Sequence, residues 1–353
     1  MAACGDTKVN ASAGEACDDG GESAGCNADC TAAACGDAVL NVTAGEQCDG
    51  GDVLNGACDD TCMVACNDGF DSCDMDFMTG CEVELCGGTC DSPGPMPGMM
   101  QFDYSGSIEE FEVPACITLL TIEAAGAQGG DGSGGQGNAT MGGMGATMIG
   151  DVMVNPGDVL SVLVGERPPN NGGGGGSFVV FGDEPLVIAG GGGGGAGGCC
   201  GGPEAGKPGV SGEAGTNGSA PGCTGGVGGV DGNGGTGGSA NQLGSGGGGG
   251  FLTDGGIGAA PTTGGMSFVN GGAGGMGAAA MLGGGFGGGG GSFTFGNWET
   301  GAGGGGGGYS GGGGTCGANN WGAGGGGGSF NAGDNQMNTD GNHAGNGVVI
   351  ITW

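Results

Sequence analysis

Thiols and carboxylates are the side chains with chemistry to offer in this sequence. Eighteen cysteines occur: Cys4, Cys17, Cys26, Cys30, Cys35, Cys48, Cys58, Cys62, Cys66, Cys73, Cys81, Cys86, Cys90, Cys116, Cys199, Cys200, Cys223 and Cys316. Thiolate metal sites draw on CxxC pairs and histidines. This chain has no CxxC pair and one histidine, His343. Disulfides formed in an oxidising compartment are the reading that fits.

The carboxylates number 37, against Lys8, Arg167 and Lys207, for a net charge of −34. Nucleic acid, anionic membrane and phosphate ligands all need cations, so these partners are disfavoured. Nineteen of the acids precede Ser92. Asp18, Asp19, Asp49, Asp59 and Asp60 adjoin cysteines, and Asp68, Asp71, Asp74 and Asp76 alternate along one segment. Oxygen-rich loops held by disulfides can bind calcium, which makes these nine the candidate metal ligands. The spacing is not that of an EF-hand, and solvated carboxylates are the competing reading.

Catalytic constellations are missing. With 108 glycines in 353 residues, GxGxxG arises by chance. Gly206-Lys207-Pro208 lacks the hydroxyl residue of a phosphate loop. His343 has no nucleophile near it in sequence, and no aromatic cluster accompanies paired carboxylates as a glycosidase would require. We expect no enzyme, no catalytic residue and no cofactor other than calcium. No run of 18 apolar residues offers a membrane span. Export would rely on a signal not present in this chain. Sequons at Asn10, Asn41, Asn138 and Asn217 matter only in a eukaryotic host.

What positions the cysteines is a repeat. Cys4, Cys17, Cys26 and Cys30 are spaced 13, 9 and 4 residues apart, and Cys35, Cys48, Cys58 and Cys62 are spaced 13, 10 and 4. The period is 31, with CGD and GExCD in both copies. Units this short bury little, so two bridges in each would hold them, with three possible connectivities. The repeats are placed at 1–33 and 34–64. CGD, GExCD and the spacing resemble the cysteine-rich repeat of secreted and surface proteins of myxobacteria and other marine or soil bacteria. A third module, 65–92, is similar to a short bacterial surface module with a GCEV motif. Its five cysteines are odd in number, and Cys116 is a candidate sixth. Prolines at alternate positions make 93–101 a linker.

From 102 onward the pattern turns to strands. The first hundred residues hold 16 glycines and the remaining 253 hold 92. Apolar runs at 117–125, 152–164, 178–189 and 348–353 are dense enough for a core, so wholesale disorder is rejected. Strands are expected within 102–125, 147–190 and 348–353. Residues 148–154 and 159–164 read as a hairpin around Pro156-Gly157, and 177–181 with 186–189 as another. Broken triplets and 12 prolines exclude collagen. Yet residues 225–239 keep a period of three, GGV-GGV-DGN-GGT-GGS. Three residues per turn is the polyproline II geometry, whose backbone groups point outward. We expect polyglycine II helices over about 126–146 and 190–347, bonded sideways where no side chain intervenes. Val227, Val230, Asn233 and Thr236 would line the remaining edge.

Here IEEFEVP at 108–114, IEAAGAQGG at 122–130, VLSVLVG at 159–165 and LVIAGGGG at 186–193 resemble the glycine-rich extracellular region of the anaplastic lymphoma kinase and leukocyte tyrosine kinase receptors. The resemblance implies a jelly-roll sandwich like tumour necrosis factor, with inserted polyglycine II helices, as one domain over 102–353. The receptor role does not carry over, since kinase and membrane segments are absent from this sequence. The expected function is a non-enzymatic extracellular structural or adhesive protein, a subunit of a surface fibre or matrix built from copies of itself. The alternatives are a module recognising a surface protein or glycan through loops bearing Trp298, Tyr309 and Trp321, and ice binding by a flat face.

Overall fold

The computed structural model describes residues 5–53, 55–67, 70–71, 81, 83–84, 97–132, 140–197, 204–219, 224–238, 243–294, 301–316 and 322–353. The chain divides into two compact units, Met1–Met96 and Pro97–Trp353.

The first unit has little regular structure. Strands β1 (Asp52–Val53), β2 (Gly56–Cys58) and β3 (Val64–Cys66) form one small antiparallel sheet, and β4 (Phe70–Asp71) pairs with β5 (Val83–Glu84). Local chemistry explains its two motifs. In GExCD the glycine, Gly14 or Gly45, closes a 3₁₀ turn at φ near +92° or +93°, a conformation that favours glycine. The following acid, Glu15 or Glu46, turns back to accept from the backbone N–H of Asn10 or Asn41. The aspartate after the cysteine, Asp18 or Asp49, accepts from the two amides of the CGD motif, Gly5 and Asp6 or Gly36 and Asp37. The disulfides are Cys17–Cys26 in the first repeat, and Cys35–Cys62 around Cys48–Cys58 in the second. Cys66–Cys81 follows. The second repeat thus takes the nested one of the three connectivities. Cys30, Cys116 and Cys316 are disulfide-bonded as well.

The second unit is a sandwich of two five-stranded antiparallel sheets. Its strands are β6 (Met99–Asp103), β7 (Ile108–Glu112), β8 (Leu119–Ala125), β9 (Gly145–Met153), β10 (Val159–Leu163), β11 (Ser177–Phe181) and β12 (Glu184–Ala189). A separate short pair, β13 (Phe293–Thr294) and β14 (Gly301–Ala302), precedes β15 (Phe330–Asn331), β16 (Asp334–His343) and β17 (Val348–Thr352). The sheet orders are β15-β12-β11-β10-β7 and β16-β9-β8-β17-β6. Alternation drives the pairing of faces. Leu120, Ile122 and Ala124 of β8 point inward with Val349 and Ile351 of β17, toward Leu160, Val162, Val179 and Val187 of the opposite sheet. The C-terminal strand lies between β8 and β6, so it completes the sheet, as its apolar run predicts.

Two expectations are corrected. Pro156-Gly157 does not turn a hairpin: β9 pairs with β8 and β16, while β10 pairs with β7 and β11 in the other sheet. Turn chemistry fixes a reversal but not its plane, and two strands with one apolar face each can bury both by arching across a core. The expected hairpin β11–β12 is present. Residues 330–331 and 334–343 are strands rather than part of the glycine region. The sequence of β16, DNQMNTDGNH, carries no apolar alternation because it is a solvent-exposed edge strand.

Strand β11 is buried on both faces. Val179 faces the sandwich core, while Phe178 and Val180 face a second cluster with Leu163, Ile188 and Phe251. An aromatic stack runs through that cluster: Phe178–Phe268, Phe268–Phe251, Phe251–Tyr309 and Tyr309–Phe330, at ring centroid separations of 5.2, 5.5, 6.4 and 4.8 Å. It ties glycine-rich segments to the sheet at the few positions where they carry large side chains.

Candidate functional site

Between the strands the chain runs as extended, mostly buried glycine segments that pair laterally. Residues 191–196 display the rule. Gly191 and Gly194 donate to the carbonyls of Gly307 and Gly304, at 2.8 and 2.9 Å. Gly192 and Gly195 donate to Ala127 and Gly130, both at 2.9 Å. Gly193 and Ala196 donate to Lys207 and Glu204, at 2.8 and 2.9 Å. Donors three residues apart therefore return to the same neighbouring segment, and consecutive donors reach three different ones. Residues 246–251 repeat it: Gly246 and Gly249 donate to Gly291 and Gly288, Gly247 and Gly250 to Gly256 and Thr253, Gly248 and Phe251 to Gly312 and Tyr309.

Such spacing leaves no room for side chains. A Cβ at Gly192 would overlap the carbonyl of Gly143, and one at Gly248 would overlap that of Gly306. Where the segments reach the surface, exposure follows the same period. Segments 226–230, 233–238, 254–258, 263–266 and 273–277 lie side by side through bonds such as Thr236 N–H to Val227 and Thr263 N–H to Met276. Val227, Val230, Asn233 and Thr236 are exposed, and so are Asp254, Ile257, Met266 and Met276. Their neighbours along the chain are mostly buried or half-buried glycines. Polar side chains fasten this face. The Thr236 hydroxyl accepts from the Val227 amide, the Thr263 hydroxyl from the Met276 amide, and Asp254 from Ser267 and Asn270. The Asn270 side chain first, and then Ser267, hold the Asp254 carboxyl below the ordinary carboxylate range.

Tyr309, a candidate recognition residue, is half-buried within the aromatic stack. Trp298 and Trp321 lie outside the described residues, as do Cys4, Cys73, Cys86, Cys90, Cys199, Cys200 and Cys223. The same holds for Asp68, Asp74 and Asp76, and for the side chain of Asp71. Of the other calcium candidates, Asp18, Asp19, Asp49 and Asp59 bind protein groups. Asp59 accepts from the Thr61 hydroxyl and amide and from the Met63 amide, and Asp19 from the Ser23 hydroxyl. Asp49 uses Oδ1 for Gly36 and Asp37, while its Oδ2 is buried without a hydrogen-bond partner. Asp60 is exposed. Among the described residues no three His, Cys, Asp or Glu side chains gather where a metal ion could be held. Sequence reasoning missed Asn41. It is fully buried, and its side-chain amide donates to Ser23 and Cys26 carbonyls and to Asn27, joining the two repeats. As a sequon it is inaccessible in the folded chain.

These carboxylates give the first unit a pH dependence. The Thr61 hydroxyl, with the Met63 and Thr61 amides, holds Asp59 below its ordinary value of 3.8, and the Thr31 hydroxyl and amide do so for Asp29. For Asp18, desolvation pushes upward but the amides of Gly20, Thr7, Gly5 and Lys8 outweigh it. A depressed carboxyl stabilises the fold above its unfolded pKa, and that contribution is lost as pH falls through the folded value. The amide resonances of Thr31, Thr61 and Met63 should hold steady from pH 8 to about 5 and change only below about 4. An NMR titration checks this. Asp59→Asn should remove the acid transition at Thr61 and Met63 and spare Thr31.

The disulfides accord with an oxidising, extracellular environment. Among the described residues, no helix is long and apolar enough to cross a membrane. Compared with known proteins, the chain matches no family model and no curated protein.

Proposed function

We propose that this chain is a non-enzymatic extracellular structural or adhesive protein, a building block of a bacterial surface fibre or matrix. In this reading the glycine segments are polyglycine II helices, inserted into a sandwich of jelly-roll type, and the disulfide-bonded unit serves as a stalk or linker. One observation carries it: lateral hydrogen bonds return to the same neighbour every three residues. A helix of three residues per turn aims every third N–H in one direction, which is what that return requires. Adjacent segments then share bonds on several sides, and the result is stiff although it has almost no side chains. A stiff slab with a flat, regularly spaced outer face suits load-bearing or adhesion, and among the described residues no arrangement of nucleophile, base and oxyanion donors favours catalysis instead.

The exposed edge strand β16 is the natural point of subunit contact, since an edge presents unpaired backbone groups. Electron microscopy of purified protein across a concentration series tests the proposal. Ordered filaments or sheets are expected. Monodisperse particles at every concentration would turn the assignment toward a recognition module.

A further inference from the structure

The second unit contains a cleft of about 550 Å³, formed where the end of β6 meets the glycine segments. Its lining includes Tyr104, Glu166, Phe286, Met276 and Ala273. That volume is in the range of small-molecule sites. Tyr104 and Phe286 set their rings 6.3 Å apart at 50°. Glu166 lies beside both: its carboxylate accepts from the Phe286 N–H at 3.0 Å, and its charge acts on the Tyr104 phenol. That donor is neutral, so the negative charge stands without a counter-ion beside the two aromatic rings. Among the described residues no lysine or arginine forms an ion pair with it. Arg167 is paired with Asp131 at 2.7 Å, and the Lys207 ammonium donates to the Asn217 carbonyl. The third, Lys8, belongs to the other unit. Burial, and then the charge of Glu166, raise the Tyr104 phenol above its ordinary value, so at neutral pH it stays a hydrogen-bond donor.

We propose that this cleft binds an aliphatic primary ammonium group, carried by a free amine or by a lysine side chain of another protein. Glu166 supplies the counter-charge, the faces of Tyr104 and Phe286 attract the cation, and Met276 with Ala273 receives the apolar stem. The site goes beyond the scaffold reading and does not depend on it.

The test is calorimetric titration of the full chain, at about 0.15 M salt so that the diffuse attraction of the acidic surface is screened. Three probes are compared: n-hexylammonium, N-acetyl-lysine methylamide and uncharged 1-hexanol. One saturable site is expected for the first two, and binding at least about tenfold weaker for hexanol. The tighter of the two cations identifies the source as free amine or protein lysine. Glu166→Gln should weaken ammonium binding about tenfold, and Phe286→Leu several-fold. Ala273→Lys supplies an internal ammonium while leaving Glu166 in place, and should abolish binding even if the glutamate variant folds poorly. Non-saturating heats, or affinity unchanged in both Glu166→Gln and Ala273→Lys, would overturn the proposal.

Discussion

Replacing Gly192 by alanine should cost the second unit most of its stability, whereas the same change at Gly212 should leave it intact or slightly stabilised. Gly192 is buried, donates to Ala127, accepts from Gly174, and has the carbonyl of Gly143 where a Cβ would go. Overpacking an ordinary core costs about 1–3 kcal/mol, because neighbouring side chains rotate or shift. Here the obstacle is backbone that is itself bonded on other sides, so accommodation breaks hydrogen bonds in adjacent segments. A loss of about 4 kcal/mol or more is expected, in the tail of point-mutation effects. Gly212 has no atom within 4 Å of its would-be Cβ and is exposed. Alanine there removes unfolded-state freedom, worth about 0.4–1 kcal/mol in favour of folding. Thermal and denaturant melts of both variants decide the matter. A Gly192→Ala protein melting within about 2 °C of the parent would show that the segments tolerate side chains, and the slab would lose its physical basis.

The same contrast explains how much of the molecule was legible in the sequence. Strands β8, β11, β12 and β17 carry apolar runs whose alternation or density marks them, and each is present. The three-residue rhythm of 225–239 reappears in exposure, with Val227, Val230, Asn233 and Thr236 outward and Gly226, Gly229, Gly235 and Gly238 buried. Partner identity was not legible. A glycine segment has no side chain to encode which neighbour it meets, so nothing in the run at 189–195 announces residues 127, 207 and 304 as its bonding partners. Strand β16 was hidden for a related reason: an exposed edge is recognised by its backbone and needs no apolar pattern. The cleft escaped notice because Tyr104, Glu166 and Phe286 are far apart in sequence and unremarkable singly. Five of the nine calcium candidates adjoin cysteines and four alternate along one segment, and two of the first group have a role that spacing alone encodes. The aspartate of GExCD is spaced to reach the amides of CGD, as Asp18 and Asp49 do.

Reduction of disulfides should separate the two units sharply. The buried residues described in the first unit are Asp18, Cys26, Asn27, Cys30, Asn41, Cys48, Cys62 and Cys81, with no aliphatic or aromatic side chain among them. Among the described residues its interior is disulfide sulfur and a few polar groups, so burial there contributes little and chain restriction carries the fold. Cys35–Cys62 spans 27 residues and Cys48–Cys58 spans 10. Loop-closure entropy assigns the first about 3–4 kcal/mol and the second about 3 kcal/mol, sums that are not additive for nested loops. The second unit also contains bonded cysteines, Cys116 and Cys316, but it has the sandwich core around Leu120, Ile122, Leu160 and Val179. Hydrogen exchange followed by mass spectrometry, with and without reductant, should show protection of β2 and β3 collapsing while that of β8, β9 and β11 persists. The double variant Cys35→Ser with Cys62→Ser should reproduce the collapse at a cost of about 2–5 kcal/mol. Protection of residues 5–67 that survives reduction would require another source of order. If that protection then vanished with EDTA, the acidic loops would be binding calcium; if it did not, the disulfide account of this unit would be wrong.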